Sequence, residues 1–329
     1  FSGAVEVAAS TGGSAMPPIM GSAAFILAEY TGTAYREVVY AALIPAMLYY
    51  LGVFIQVHLR AVKDDLKPYD GKIPKLTETF AVGWPFLVPI FTIIAMLMMG
   101  FAPVMTAGAG AFAVLIGSSL TKNTRMSPWR VVEAMGETTL RILPVAGACA
   151  AAGLVIGGLS MTGLGMKAAN VIISLSGGSL EITLLLAAVV TILLGLGMPT
   201  PSAYILAAVL VGPALTKMGL PVLESHMFLL YYAILSALTP PIAVAALAAA
   251  AIADEDPFII AFDAVRLALV GFLMPFVFLW NPAILGQGSV TEILFAIAGG
   301  IIGALAVAVS FEWLRGSYSR SLRWFIRLL

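Results

Sequence analysis

The sequence predicts an all-α, polytopic membrane protein in which some helices break at membrane depth. Three observations carry this. Of 329 residues, 61% are hydrophobic and 10% charged, whereas a soluble domain holds about 25% charged and 45–50% apolar residues. A soluble chain of this length could not hide so much apolar surface. The apolar stretches also recur near the length of about 20 residues that crosses a bilayer. Finally, Pro-Pro occurs twice inside those stretches, as Met16-Pro17-Pro18 and Thr239-Pro240-Pro241. Each pair follows small polar residues and precedes an alanine-rich run. Proline lacks an N–H and clashes with the carbonyl four residues back, so it breaks a helix. The freed carbonyls are tolerated in a bilayer only where protein or a water-filled cavity takes them up.

Taken in order, the candidate spans are 3–30 (broken at 12–18), 36–60, 82–100, 103–121, 139–160, 181–196, 202–218, 224–253 (broken at 236–241), 259–281 and 290–313. Residues 161–178 carry Lys167 and Asn170 on an apolar repeat and read as an amphipathic arm at the interface. Segments 181–196 and 202–218 are short for a span. The tip between them, Gly195-Leu196-Gly197-Met198-Pro199-Thr200-Pro201-Ser202, carries no charge, so the pair reads as a re-entrant hairpin.

Basic residues mark cytoplasmic loops. Arg60, Lys63, Lys67, Lys72 and Lys75 follow the second segment, Lys122, Arg125 and Arg130 the fourth, and Arg315, Arg320, Arg323 and Arg327 the last. A walk along the chain puts all three clusters on one side, with the C-terminus cytoplasmic. Segments 3–30 and 224–253 then run in opposite directions. Trp84, Trp129, Trp280, Trp313 and Trp324 fall near span ends, as interfacial anchors do. The chain opens on Phe1, already helix-like, with no charged leader before it, and reads as part of a longer protein.

The small polar clusters are the candidate site. Unwound backbone supplies carbonyl oxygens, Ser and Thr add hydroxyls, and helix C-terminal ends add a negative dipole; together these suit a hard cation such as Na⁺. Helix N-termini offer N–H groups to an anion. Other polar residues read as structural. Asp263 and Arg266 are spaced to pair, Arg141 snorkels, and His58 and His226 flank spans. Glu29 is interfacial beside Tyr30. Glu6, near the first break, is a candidate intramembrane carboxylate. Cys149 reads as a small buried residue. Gly153/Gly157 and Gly299/Gly303 have the spacing of close helix packing. No metal-ligand spacing and no catalytic triad or acid/base pair appears, and zero net charge gives no sign of nucleic-acid binding.

Three runs then point to a family. They are Thr11-Gly12-Gly13-Ser14-Ala15-Met16-Pro17-Pro18-Ile19-Met20-Gly21 followed by Ala28-Glu29-Tyr30-Thr31-Gly32, the tip run extended through Ala203-Tyr204-Ile205-Leu206, and Ser236-Ala237-Leu238-Thr239-Pro240-Pro241-Ile242-Ala243. In this order they resemble the large membrane subunit of TRAP transporters, a DctM-like permease, of the TAXI type. The resemblance covers nearly the whole chain and corresponds to the C-terminal portion of such a subunit. It implies an inverted-repeat, elevator-type transporter fold with re-entrant hairpins. Residues 1–130 would hold the end of the first repeat and connecting helices, 131–260 the second repeat with its hairpin at 181–218, and 261–329 the C-terminal helices. It further implies Na⁺-coupled uptake of organic acid anions at a bacterial or archaeal inner membrane, with no enzymatic activity and no cofactor beyond the coupling ion. The partners would be an extracytoplasmic binding protein and a small membrane subunit or fused upstream helices. Thr11 and Gly12 would belong to a first Na⁺ site. Gly197, Met198, Thr200, Ser236 and Thr239 would form a second, and Ser202, Pro199 and Pro240 would face substrate. The family's first hairpin is missing ahead of Thr11, so this chain alone is expected not to transport. A passive channel or a membrane scaffold is the alternative.

Overall fold

In the computed structural model the structure describes residues 1–66, 71, 75–121 and 124–326, without the side chains of 148, 152, 160 and 312–326. Lys67, Lys72, Lys122 and Arg327 of the basic clusters lie outside the described residues, as do the side chains of Glu312, Trp313, Arg315, Arg320, Arg323 and Trp324. The described secondary structure is helical throughout, with no strand.

Sixteen α-helices are described. They are α1 (Ser2–Gly13), α2 (Ser22–Thr31), α3 (Tyr35–Lys63), α4 (Leu76–Gly83), α5 (Leu87–Met98), α6 (Pro103–Ser119), α7 (Pro128–Thr162) and α8 (Leu164–Leu175), followed by α9 (Leu180–Gly195), α10 (Thr200–Leu210), α11 (Gly212–Lys217), α12 (Val222–Leu235), α13 (Val244–Ala253), α14 (Pro257–Leu267), α15 (Leu269–Trp280) and α16 (Val290–Ile326). Five stretches are long and apolar enough to cross a membrane: Tyr35–Lys63, Leu76–Met98, Pro128–Leu159, Pro257–Trp280 and Val290–Phe311.

Two compact units form. One holds the described residues of 34–36 and 67–147. Its centre is the α5–α6 hairpin, turned at Gly100 with φ +84°. Gly110 lies against Ile93 and Gly117 against the Pro85 carbonyl, where a Cβ would sit 2.8 Å from the oxygen. The other unit holds residues 1–33, 37–66 and 148–329.

Both breaks fall where the Pro-Pro pairs predict. In the second unit α1 stops at Gly13 and α2 starts at Ser22; α12 passes through a 3₁₀ turn at Ser236–Leu238 and α13 starts at Val244. The breaks share their local geometry. Both Pro-Pro bonds are cis, and a left-handed residue follows at the same offset, Met20 (φ 55°) or Ala243 (φ 44°). Its N–H bonds the carbonyl before the proline pair, Met20 to Met16 at 3.1 Å and Ala243 to Thr239 at 3.2 Å. α1 packs on α13, and α2 packs on α12. The two broken helices therefore lie side by side and run in opposite directions.

Several span expectations need correction. Span 82–100 gains α4 and a 3₁₀ turn at Trp84–Phe86, where Pro85 interrupts the helix. Span 139–160 begins at Pro128, whose missing N–H suits a first helical position, and runs through Pro144. Span 202–218 divides at Val211, just before Gly212-Pro213. Span 259–281 divides at Ala268 because Gln56 Nε2 donates to Leu267 O at 3.0 Å and Gly271 N turns to Ala268 O at 2.8 Å. Span 290–313 continues to Ile326.

Single residues differ too. Cys149 is partly exposed. Gly153, Gly157, Gly299 and Gly303 face open space, and it is Gly300 that packs, on Leu48. His226, which flanks a span, is buried, and its Nδ1 lies 2.8 Å from the Tyr204 hydroxyl. Asp263 and Arg266 pair at 3.3 Å as their spacing predicts, and Arg141 sits exposed near Glu137.

Candidate ion and substrate site

The site is built where the hairpin α9–α10 meets the second break. Ser179 caps α9 by accepting from Ile182 N, and the arm runs along α12 to the Ser236–Leu238 turn. It ends at Gly195, where a Cβ would overlap Ser236 Oγ. Two residues on, Gly197 has φ +75°, a conformation that suits glycine, and its Cα side lies against Ile242. Pro199 then caps α10, which returns over α2 and α12.

This placement sets Gly195 against Ser236 and Gly197 against Ile242 of the break; Met198, Pro199 and Thr200 follow in the turn into α10, and Ser202 lies in the first turn of α10, which packs on α12. Thr11 and Gly12 end α1, which also packs on the 236–238 turn. Both are buried. Gly12 is pressed against the ring of Tyr49, whose hydroxyl donates to Ala8 O at 2.6 Å. Tyr50 donates to Ala9 O at 2.7 Å. These two tyrosines hold the end of α1 in place.

The donor and acceptor inventory favours an electropositive guest at the break. Ser236 Oγ donates to Ala233 O at 2.8 Å and Thr239 Oγ1 to Leu235 O at 2.7 Å. Each hydroxyl hydrogen is thereby spent, and the oxygen lone pairs remain. Among the described residues, the carbonyls of Ala237, Leu238, Pro240, Pro241 and Ile242 accept no backbone N–H. At the tip, those of Leu196, Gly197 and Met198 do not either. Ser202, in the first turn of α10, is 2% exposed and its Oγ has no partner. Buried hydroxyls are normally paired, so Ser202 is an acceptor–donor held ready at a helix N-terminus.

Residues 1–293 match the family described as "Tripartite ATP-independent periplasmic transporter, DctM component". The chain belongs to the DctM family. It is therefore a membrane permease component of a TRAP transporter, not a catalytic subunit, and the resemblance of its three runs to that family is borne out. No curated protein matches the chain.

Sequence reasoning missed three features of this DctM protein. Gly195 lay inside the tip motif, but its contact with Ser236 was not foreseen. The tyrosine clasp on α1 had only two adjacent aromatics as its signal. Thr191, buried on α9 without a hydrogen-bond partner, looked like any apolar-helix threonine.

Proposed function

We propose that this chain is the permease subunit of a TAXI-type TRAP transporter that couples Na⁺ entry to uptake of organic acid anions. The observation that carries the reading is the close seating of the Gly195–Ser202 tip on the Ser236–Ile242 break. Two uncharged, unwound segments meet there, with unpaired carbonyls and hydroxyl lone pairs on both. Neutral oxygens at membrane depth suit a monovalent cation, and α10 directs its N-terminal N–H groups and Ser202 toward an anion. Gly197, Met198, Thr200, Ser236 and Thr239 hold the ion; Ser202, Pro199 and Pro240 face the substrate. Ion binding would close the tip on the break and so complete the substrate side.

The antiparallel broken helices support an inverted repeat. In this reading Thr11 and Gly12 serve a first ion site of the same kind. The exposed face of α1 (Ser2, Glu6, Ser10, Gly13) beside α13 corresponds to the face of α12 and α2 that α9–α10 covers. An extracytoplasmic binding protein delivers the anion, and a small membrane subunit or fused helices complete the assembly in the inner membrane, with the basic loops cytoplasmic.

The test is uptake into proteoliposomes by the complete transporter with its binding protein. Uptake should require an inward Na⁺ gradient and be lost in Thr239→Ala and Thr200→Ala, while Thr239→Ser, which keeps the hydroxyl, retains it. Full uptake in both alanine variants refutes the site. Flux independent of Na⁺ refutes the coupling and supports a passive channel.

A further inference from the structure

A second recess lies away from the tip and the breaks. Residues of α15 and α16 line a cavity of about 470 Å³, within the range of about 300–1,000 Å³ typical of small-molecule sites. Leu273 and Val277 line it on α15, Gly299 and Gly303 on α16. The two glycines open it, because neither has an atom within 4 Å of its Cβ position. Between them Gly300, which also lines the cavity, packs on Leu48.

One end of this apolar slot is polar. Asn281 terminates α15 there, and Glu292 stands in the first turn of α16. Glu292 Oε2 accepts from Ser289 N at 2.7 Å and Ser289 Oγ at 2.8 Å. Its Oε1 and the Asn281 side-chain amide make no intramolecular hydrogen bond among the described residues, and no Lys or Arg pairs with Glu292 there. The slot thus runs from an unneutralised carboxylate and an amide, near the start of the apolar stretch Val290–Phe311, along the apolar length of that stretch.

We propose that this slot binds one acyl chain of a phospholipid whose head group carries a primary ammonium. The chain fills the space above Gly299 and Gly303. The ammonium meets Glu292 Oε1, and the Asn281 amide donates to a phosphate or ester oxygen. Charge complementarity selects this occupant, since an anionic lipid would set its head against the carboxylate.

Native mass spectrometry of the purified chain tests this with palmitoyl-oleoyl phosphatidylethanolamine and phosphatidylglycerol at equal concentration, so that only the heads differ. The wild type should retain the ethanolamine lipid about fivefold over the glycerol lipid, the scale of one charge pairing at a membrane surface. Glu292→Gln keeps the helix cap, because glutamine serves in a capping box; it should bring the ratio to parity. Gly303→Leu, which fills the slot, should lose both lipids. Equal retention by the wild type overturns the proposal. So does an unchanged ratio in Glu292→Gln, or a second copy of the chain bound in place of lipid.

Discussion

At Gly195 a single hydrogen in place of a methyl decides whether the hairpin tip can reach the second break. Adding a Cβ drives it into Ser236 Oγ, an overpacking of the kind that costs about 1–3 kcal/mol. Gly195→Ala should therefore lower the melting temperature of the purified protein and abolish Na⁺-dependent uptake. Gly195→Ala/Ser236→Gly should restore the melting temperature without restoring uptake, because it returns the space but removes a proposed ion ligand. A melting temperature unchanged in Gly195→Ala would show that the tip does not seat on Ser236. The same scale explains what could be read from the sequence. Gly197, Ser236 and Thr239 stand out locally, as small or hydroxylated residues beside prolines in an apolar run. His226 did not, because its burial depends on Tyr204 and Tyr30, which approach from α10 and α2.

At the scale of elements, α3 is tied to its neighbours by polar contacts along its length. Tyr49 and Tyr50 hold α1, Gln56 reaches Leu267 O, and Arg60 meets Asp263 at 3.1 Å while its guanidinium lies 3.7 Å from the Phe1 ring centroid. Arg60 and Asp263 are both largely buried, with side chains 9% and 13% exposed. Removing one partner of a buried pair strands the other, at about 3–5 kcal/mol when nothing else compensates, whereas an apolar replacement of both is often neutral. Asp64 and Arg266 offer partial compensation here. Asp263→Leu should thus lower thermal stability clearly, and Arg60→Met/Asp263→Leu should recover most of the loss. A double variant less stable than either single one would contradict this. Tyr49→Phe should cost about 0.5–1.5 kcal/mol, the value of one hydrogen bond, measured by the same melting assay. These contacts also mark the limit of reading elements from sequence. The breaks at Pro17-Pro18 and Pro240-Pro241 have a local cause and were predictable. At the Ala268 break, Leu267 O accepts from Gln56, 211 residues away in sequence, a contact that nothing within 259–281 announces.

For the molecule as a whole, helix length separates the apolar segments into two kinds. The five long stretches are each long and apolar enough to cross, whereas each broken helix is made of two shorter arms. The hairpin differs. α9 has 16 residues and α10 only 11 before the division at Val211, about 24 and 17 Å at 1.5 Å per residue, each short of a hydrocarbon core of about 30 Å. Whether the arms re-enter or span, the hairpin leaves the chain on its entry side, so charge counting cannot separate the two. The depth of the tip can. In a Cys149→Ala background, Ser179→Cys and Gln287→Cys should react with bulky polyethylene-glycol maleimide from the extracytoplasmic side, and Asp254→Cys from the cytoplasmic side. Met198→Cys should resist that reagent from both sides, yet react with a small methanethiosulfonate, more slowly when Na⁺ is present. Modification of Met198→Cys by the bulky reagent from the Asp254 side would place the tip in the cytoplasm. Both arms would then be full spans, and the tip could no longer meet the Ser236–Ile242 break at membrane depth. Protection by Na⁺ with access for the small reagent alone is the pattern of a tip that closes over an ion inside the membrane.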